Sequence, residues 1–264
     1  MKKELNEQQR RELNTESFKA SEESQMNEEE WQARIDLAAL YRLAAHFGYD
    51  DLIWNHITMR VPGPDHQFLL NKFGLLYNEV TASNLIKVDE NGNVLSGPRD
   101  VNTAGFVIHS AIHLAHPDMK VVFHAHAPAG LAVTALKNGV DYLVQDTSML
   151  YGDIGYHDWE GLSLTLEERD ALARNIEGKS CLIMRNHGFL TVGETAGEAF
   201  MNMYYLIRAC KVMIEAYSTS LPLDKGPEEI WKLSRRQYAD FPPGKYEWPG
   251  LLRLLEQIDP SYKN

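Results

Sequence analysis

Five of the ten histidines in this 264-residue chain fall between positions 109 and 126: His109, His113, His116, His124 and His126. A single alanine separates the last two. Side chains alternate between faces along an extended segment, so His124 and His126 point the same way and two imidazoles can reach one ion. Neutral imidazole ligates zinc, iron, nickel and similar divalent metals. A catalytic ion commonly takes three protein ligands and keeps one position open. His187 is the best third ligand, because it follows the apolar run Cys181-Leu182-Ile183-Met184 within Arg185-Asn186-His187-Gly188. Gly188 is expected to leave room there for a substrate.

The same histidines admit other uses. His109 and His113 are an i, i+4 pair, yet HSAIH lacks the glutamate that a zinc-protease helix carries after its first histidine. His113 and His116 therefore read as helix-face residues, solvated or hydrogen-bonded. His109 reads as a group aimed toward the HAH strand, orienting a ligand or moving a proton. A cupin-like site would want a glutamate soon after HAH, and APAGLAV supplies none. Arg185 either binds a substrate carboxylate or makes a structural ion pair. Tyr156-His157-Asp158 lines a pocket or shapes a loop. Glu28-Glu29-Glu30 and Glu167-Glu168 read as helix starts and solvated faces.

These residues need elements to hold them. Asn27 with Glu30 three positions on predicts a helix start. Ile35, Ala38, Tyr41 and Ala45 continue its buried face, and Gly48 ends it. Ile57 and Met59 alternate with polar neighbours, the segment from Val61 to Pro64 turns, and Phe68-Leu69-Leu70 returns as the partner strand. Leu85 to Val88 and Val94-Leu95 repeat that pattern. Residues 103–116 read as a helix broken at Pro117. Val121-Val122-Phe123 is a short buried strand running into His124. Pro128 to Leu136 is a helix of small residues, Leu166 to Ile176 an amphipathic one, and Ala196 to Tyr217 a long one.

Three segments are expected: a mobile arm over 1–26, the main domain over 27–220, and a tail over 221–264. The tail carries Trp231, Tyr238, Phe241, Tyr246 and Trp248 among its prolines, which predicts packing on its own domain or a neighbouring subunit. At 44% hydrophobic and 24% charged residues the composition is that of an ordinary globular chain. No apolar run approaches the roughly 20 residues of a membrane-spanning helix. The net charge of −11 argues against nonspecific binding to nucleic acid or anionic lipid. Cys181 and Cys210 form no disulfide framework, which suits a cytoplasmic protein.

HSAIHLAHPDMKVVFHAHAPAGLAV and RNHGFLTVGETAGEAF, separated by YGDIGYHDWEG, resemble the class II aldolase/adducin family from about Ile35 to Tyr217. NHITMRVP, LLNKFGLLYNEVTASNLIKVD and NTAGFVIHSAIH are nearer to the adducin head domain. The resemblance implies an α/β fold, a three-layer α/β/α sandwich around a mainly antiparallel central sheet. It also implies a homotetramer with active sites near subunit interfaces. The zinc ligands of the family's sugar-phosphate aldolases map onto His124, His126 and His187, and the 61 residues from His126 to His187 fit that pattern.

Other positions depart from it. The aldolases place a proton-transfer glutamate nineteen residues before the first metal histidine, where this chain has Gly105. Their phosphate-binding segments correspond to Asn55-His56-Ile57-Thr58, Lys72-Phe73-Gly74 and Thr103-Ala104, with His56 and Phe73 as bulky replacements. A tyrosine acid from the adjacent subunit is replaced by Gln145, although Tyr142, Tyr151 and Tyr156 lie near in sequence. The expectation is a zinc-dependent lyase for a small, unphosphorylated hydroxy- or keto-compound. Aldol cleavage leads, and decarboxylation or epimerisation follows closely. His56, Phe73, Gly74 and Arg185 would contact substrate; His109, Gln145 and Tyr156 are the candidates to move protons. The alternative is an adducin-like scaffold, which would need neither metal nor the retained histidines.

Overall fold

The computed structural model describes residues 27–63, 66–161 and 169–264. The arm expected over 1–26, Pro64 and the first turn of the helix expected from Leu166 lie outside them. Helix α1 (Glu28–His46) begins where the Asn27 side chain accepts the Glu30 N–H at 2.7 Å, and beyond its end Gly48 takes φ +70°. Leu37, Leu40, Tyr41 and Ala44 make one fully buried face. Glu30 overturns the expectation of a solvated acidic cluster. It is buried, accepting from Arg34 Nε at 3.1 Å and from Lys87 Nζ at 3.0 Å.

Eight strands form one sheet. They are β1 (His56–Arg60), β2 (Gln67–Leu70), β3 (Ile86–Asp89), β4 (Val94–Ser96), β5 (Val121–Ala125), β6 (Ile154–His157), β7 (Cys181–Met184) and β8 (Gly188–Gly193), in the spatial order β4-β3-β2-β1-β5-β8-β7-β6. Every pairing is antiparallel except β6 with β7. Sequence reading assigned neither β6 nor β8. Both abut polar motifs that read as loop.

The pleat divides the side chains of β5 between two cores. Val121, Phe123 and Ala125 face the core built on α1, α3 (Pro128–Thr134) and α5 (Ala196–Ser218). Val122 faces the second core, with α2 (Thr103–Ala115) and α4 (Arg169–Ile176). By the same alternation His124 falls on the α2 side. Helix, sheet and helix make three layers, as the resemblance implied.

The C-terminal segment carries α6 (Glu228–Gln237) and α7 (Trp248–Ile258). It closes on the domain: Leu255 and Tyr262 are buried, and the Ser83 N–H donates to the carbonyl of Asn264 at 2.8 Å. Gly197 admits that closure, because a Cβ there would stand 2.8 Å from the Cβ of Trp248. No helix among the described residues is long and apolar enough to cross a membrane.

Arg34, at 1% exposure, ties α1 to the β3–β4 side of the sheet. Besides Glu30 it donates to the carbonyls of Leu85 (3.0 Å) and Ala82 (3.3 Å) and to Ser96 Oγ (3.3 Å). Removing one member of such a group strands the buried partner charge. Arg34→Met is expected to lower the unfolding free energy by about 3 kcal/mol in urea titrations; a loss under about 1 kcal/mol would contradict this account.

Candidate metal centre

Strand register brings the histidines together. His124 sits opposite His56 on β1 and opposite Leu190 on β8. His126 lies one residue past the end of β5, so both HAH imidazoles emerge at the same end of the sheet. His187 arrives from the next strand pair. Met184 and Gly188 are cross-strand partners, and Arg185-Asn186-His187 make the turn between them. Asn186 takes φ +57°, a left-handed conformation that asparagine tolerates better than most residues, and its N–H donates to the Thr134 carbonyl at 3.3 Å. The expected role of Asn186 in shaping the turn thus has a backbone basis.

The three imidazoles offer one ligand atom each, all within 4.8 Å of one another. His124 donates Nδ1–H to the Phe189 carbonyl at 3.0 Å, and His126 donates Nδ1–H to Asp51 Oδ2 at 3.0 Å. Each bond leaves the Nε2 lone pair free to face the cluster. His126 Nε2 is buried and has no hydrogen-bond partner in the protein. An orphaned lone pair facing two other imidazoles is what an ion would satisfy, so these residues fit a divalent metal. Burial first, then the neighbouring imidazoles of His126, His56, His187 and His109, holds His124 far below the usual histidine range, in the neutral state a metal requires.

Gly188 is not where a substrate fits. A Cβ there would stand 2.7 Å from the ring of His126 and 2.8 Å from that of His124, so the glycine makes room for the ligands themselves. Asp51 was not anticipated. Its only sequence signal was position, five residues before a strand that pairs with the HAH strand.

A second set of imidazoles lies beside the first. His56 stacks on His124 with ring centres 5.0 Å apart, and its Nδ1 is 2.9 Å from His109 Nε2. His109, expected to be aimed toward the HAH strand, meets His56 and Thr58 of the neighbouring β1. His113, expected on a helix face, is fully buried, 2.8 Å from Thr58 Oγ1 and 2.9 Å from the Met119 carbonyl. His116 meets the Ala173 carbonyl at 2.8 Å. Burial pushes both His56 and His113 down to about 3.

The remaining site candidates are less close. Phe73 meets Trp54 edge-on at 5.9 Å, and Gly74, at φ +95°, has open space where a Cβ would be. They border the segment 51–56 that carries Asp51 and His56 to the cluster. Asn55 in that segment is buried with neither amide atom partnered. Arg185 is held structurally: it donates to the Leu136 carbonyl at 3.2 Å, lies 3.5 Å from Asp158 and covers the ring of Tyr156. Tyr156 packs with the α1-side core, on the face opposite His124, and its hydroxyl accepts the Val140 N–H at 3.0 Å. Gln145 is exposed and lines a groove with Trp231 and Ser234 of the C-terminal segment. Within one chain, neither Tyr156 nor Gln145 joins the histidine cluster.

Residues 35–214 match the family model described as the class II aldolase and adducin N-terminal domain. A Caulobacter vibrioides protein with a provisional class 2 aldolase name is 43% identical over 90% of this chain and 94% of its own. Mouse alpha-adducin is 38% identical, over 85% of this chain and 33% of its own. An L-fuculose 1-phosphate aldolase from Glaciozyma antarctica superposes with a TM-score of 0.81 at 29% identity, covering 89% of this chain and 93% of that one.

His113 stands outside the three-histidine cluster, and burial first, then the neighbouring Arg60 charge, holds its imidazole neutral, which gives a test. Its folded pKa lies below the unfolded value near 6.5, so between about 3 and 6.5 the unfolded chain binds the extra proton and stability rises with pH. By pH 5 each such imidazole costs about 2 kcal/mol relative to pH 7.5. Melting temperatures of the metal-free protein are therefore expected to fall steadily below pH 6.5; a flat profile down to pH 4.5 would contradict a neutral buried His113.

Proposed function

The chain belongs to the class II aldolase and adducin family, and from that premise we propose that it is a metal-dependent lyase acting on a small hydroxy- or keto-compound. Aldol cleavage is the leading reaction, and decarboxylation or epimerisation of the same substrate type follows. The observation that carries this reading is the buried, unpartnered Nε2 of His126 facing His124 and His187. A scaffold needs no such group, and burying an unsatisfied nitrogen has a cost.

His124, His126 and His187 would hold the ion, with zinc first among the candidates. What a divalent ion supplies in such a site is Lewis-acid polarisation of a carbonyl oxygen. The protein's own residues do the rest. The Phe189 carbonyl and the Asp51 carboxylate fix which nitrogen of His124 and of His126 faces inward. Phe73 and Trp54 give the rim an apolar wall that suits an uncharged substrate better than a phosphate. Gly74 leaves its backbone open to approach.

Gly105 supplies no carboxylate, and the space a side chain would take there belongs to His56, whose ring atoms lie 2.3–2.7 Å from an added Cβ. His56, backed by His109, would therefore be the group that meets a substrate proton in this chain. Gln145 and Tyr156 can serve only from a neighbouring subunit, so the reading includes a cytoplasmic homo-oligomer, a tetramer as in the family resemblance.

Metal analysis of purified protein should find close to one divalent ion per chain, and His187→Ala should lower occupancy at least tenfold with the fold intact by circular dichroism. Unchanged occupancy would refute the ligand set. Asp51→Ala should weaken metal affinity by about 10- to 100-fold in competition with a chelator, because it frees the His126 ring. A change under twofold would show that the carboxylate orients nothing.

A further inference from the structure

Buried hydrogen bonds between neutral rings have a direction, and here it can be followed from one end. The Met119 carbonyl can only accept, so His113 Nδ1, at 2.9 Å, carries a proton. In a neutral ring the other nitrogen is then bare, so His113 Nε2 accepts from the Thr58 hydroxyl at 2.8 Å. With its single proton committed, Thr58 Oγ1 must accept from His109 Nδ1–H, also at 2.8 Å. His109 Nε2 is bare in turn and accepts from His56 Nδ1–H at 2.9 Å. The remaining nitrogen, His56 Nε2, ends the series without a proton. It lies 2.7 Å from where a Cβ on Gly105 would be, and its ring is stacked on His124.

We propose that His56 is the specificity-determining acceptor of the site, reading a substrate hydroxyl through an Nε2 lone pair whose orientation is fixed by the buried series His109–Thr58–His113–Met119. This rests on the reading of the centre as a lyase site and adds the polarity of its inner wall.

Every proton in the series points away from the site, and the far end is a backbone carbonyl. A carbonyl cannot take up a proton, so the series orients His56 and provides no route for protons to leave. Thr58 is the joint: the only hydroxyl in the run, donating to one ring while accepting from another, at 3% exposure. The charged group at the far end is Arg60, which donates to the backbone carbonyl of His113 and lies over Phe68, itself stacked on the His113 ring. That arrangement disfavours a second proton on His113.

A lone pair at His56 Nε2 attracts an O–H and repels anionic oxygen. A site built to pair with a hydroxyl discriminates strongly against groups that cannot donate to it. The chemical class selected is a neutral polyol-type ketone or aldehyde with a free hydroxyl toward His56, and its phosphate ester is disfavoured.

The first test needs no metal. Long-range proton–nitrogen spectra of the metal-free protein, with imidazoles assigned by single substitutions, should show His113, His109 and His56 as neutral rings protonated at Nδ1. Finding His56 protonated at Nε2 would overturn the proposal. The second test uses zinc-loaded protein with dihydroxyacetone and its monophosphate as probes. Wild type should bind the free ketone at least tenfold more tightly than the ester, and tighter binding of the ester would overturn the proposal.

Thr58→Val, which removes the joint while keeping its shape, should cut affinity for the free ketone about tenfold without changing zinc affinity, and Thr58→Ser should restore it. Wild-type affinity in Thr58→Val would also overturn the proposal. If that variant fails to fold, the wild-type spectrum still decides. A failure of the lyase reading would appear separately, as absence of zinc uptake with the tautomers as stated.

Discussion

The antiparallel pairing of β1, β5 and β8 is the constraint on which the site depends. His56 opposite His124, and Ala125 opposite Phe189, set which side chains share a face and how far each strand projects. A shift of one residue in either register would turn His124 into the α1-side core and send its neighbours toward the cluster. The cores on both faces resist such a shift, because Val122 and Phe123 are each fully buried on opposite sides. Packing of apolar residues that never touch a substrate therefore holds the imidazoles in place.

On that frame the site is polarised by two kinds of backing. His124 and His126 are turned inward by a backbone carbonyl and a carboxylate, so their Nε2 atoms face the cluster. His56, His109 and His113 are turned by one another and by Thr58, and burial keeps them neutral. Gly105 and His56 fit one another: the ring fills the volume a side chain at position 105 would take.

Much of this was legible in the residues. HAH on an extended segment and a histidine just past a buried strand named the candidates, because alternation and strand ends are local properties, and the family resemblance pointed to the same three. The helix of Asn27 and the hairpin of β1 and β2 followed from period and turn chemistry in the same way. What escaped was non-local. Asp51 is recognisable only once β1 is seen to pair with β5, and Glu30 resembles any acidic helix start until Arg34 and Lys87 are found against it. Gly188 was read as space for a substrate because a glycine does not announce which neighbour claims its missing Cβ. Gln145 was chosen because it stands where the family resemblance places a tyrosine from the adjacent subunit, and Tyr156 by nearness in sequence; within one chain the pleat of β6 and the exposed position of Gln145 set both apart from the cluster.

The central claim is that three imidazoles, two from one strand end and one from a distant turn, share a single ion. X-ray absorption at the metal edge of the zinc-loaded protein measures this directly. The account predicts a shell with three imidazole nitrogens at roughly 2.0–2.1 Å, outer-ring scattering from all three, and one further light atom. A shell with fewer than two imidazoles, or one containing sulfur, would contradict it.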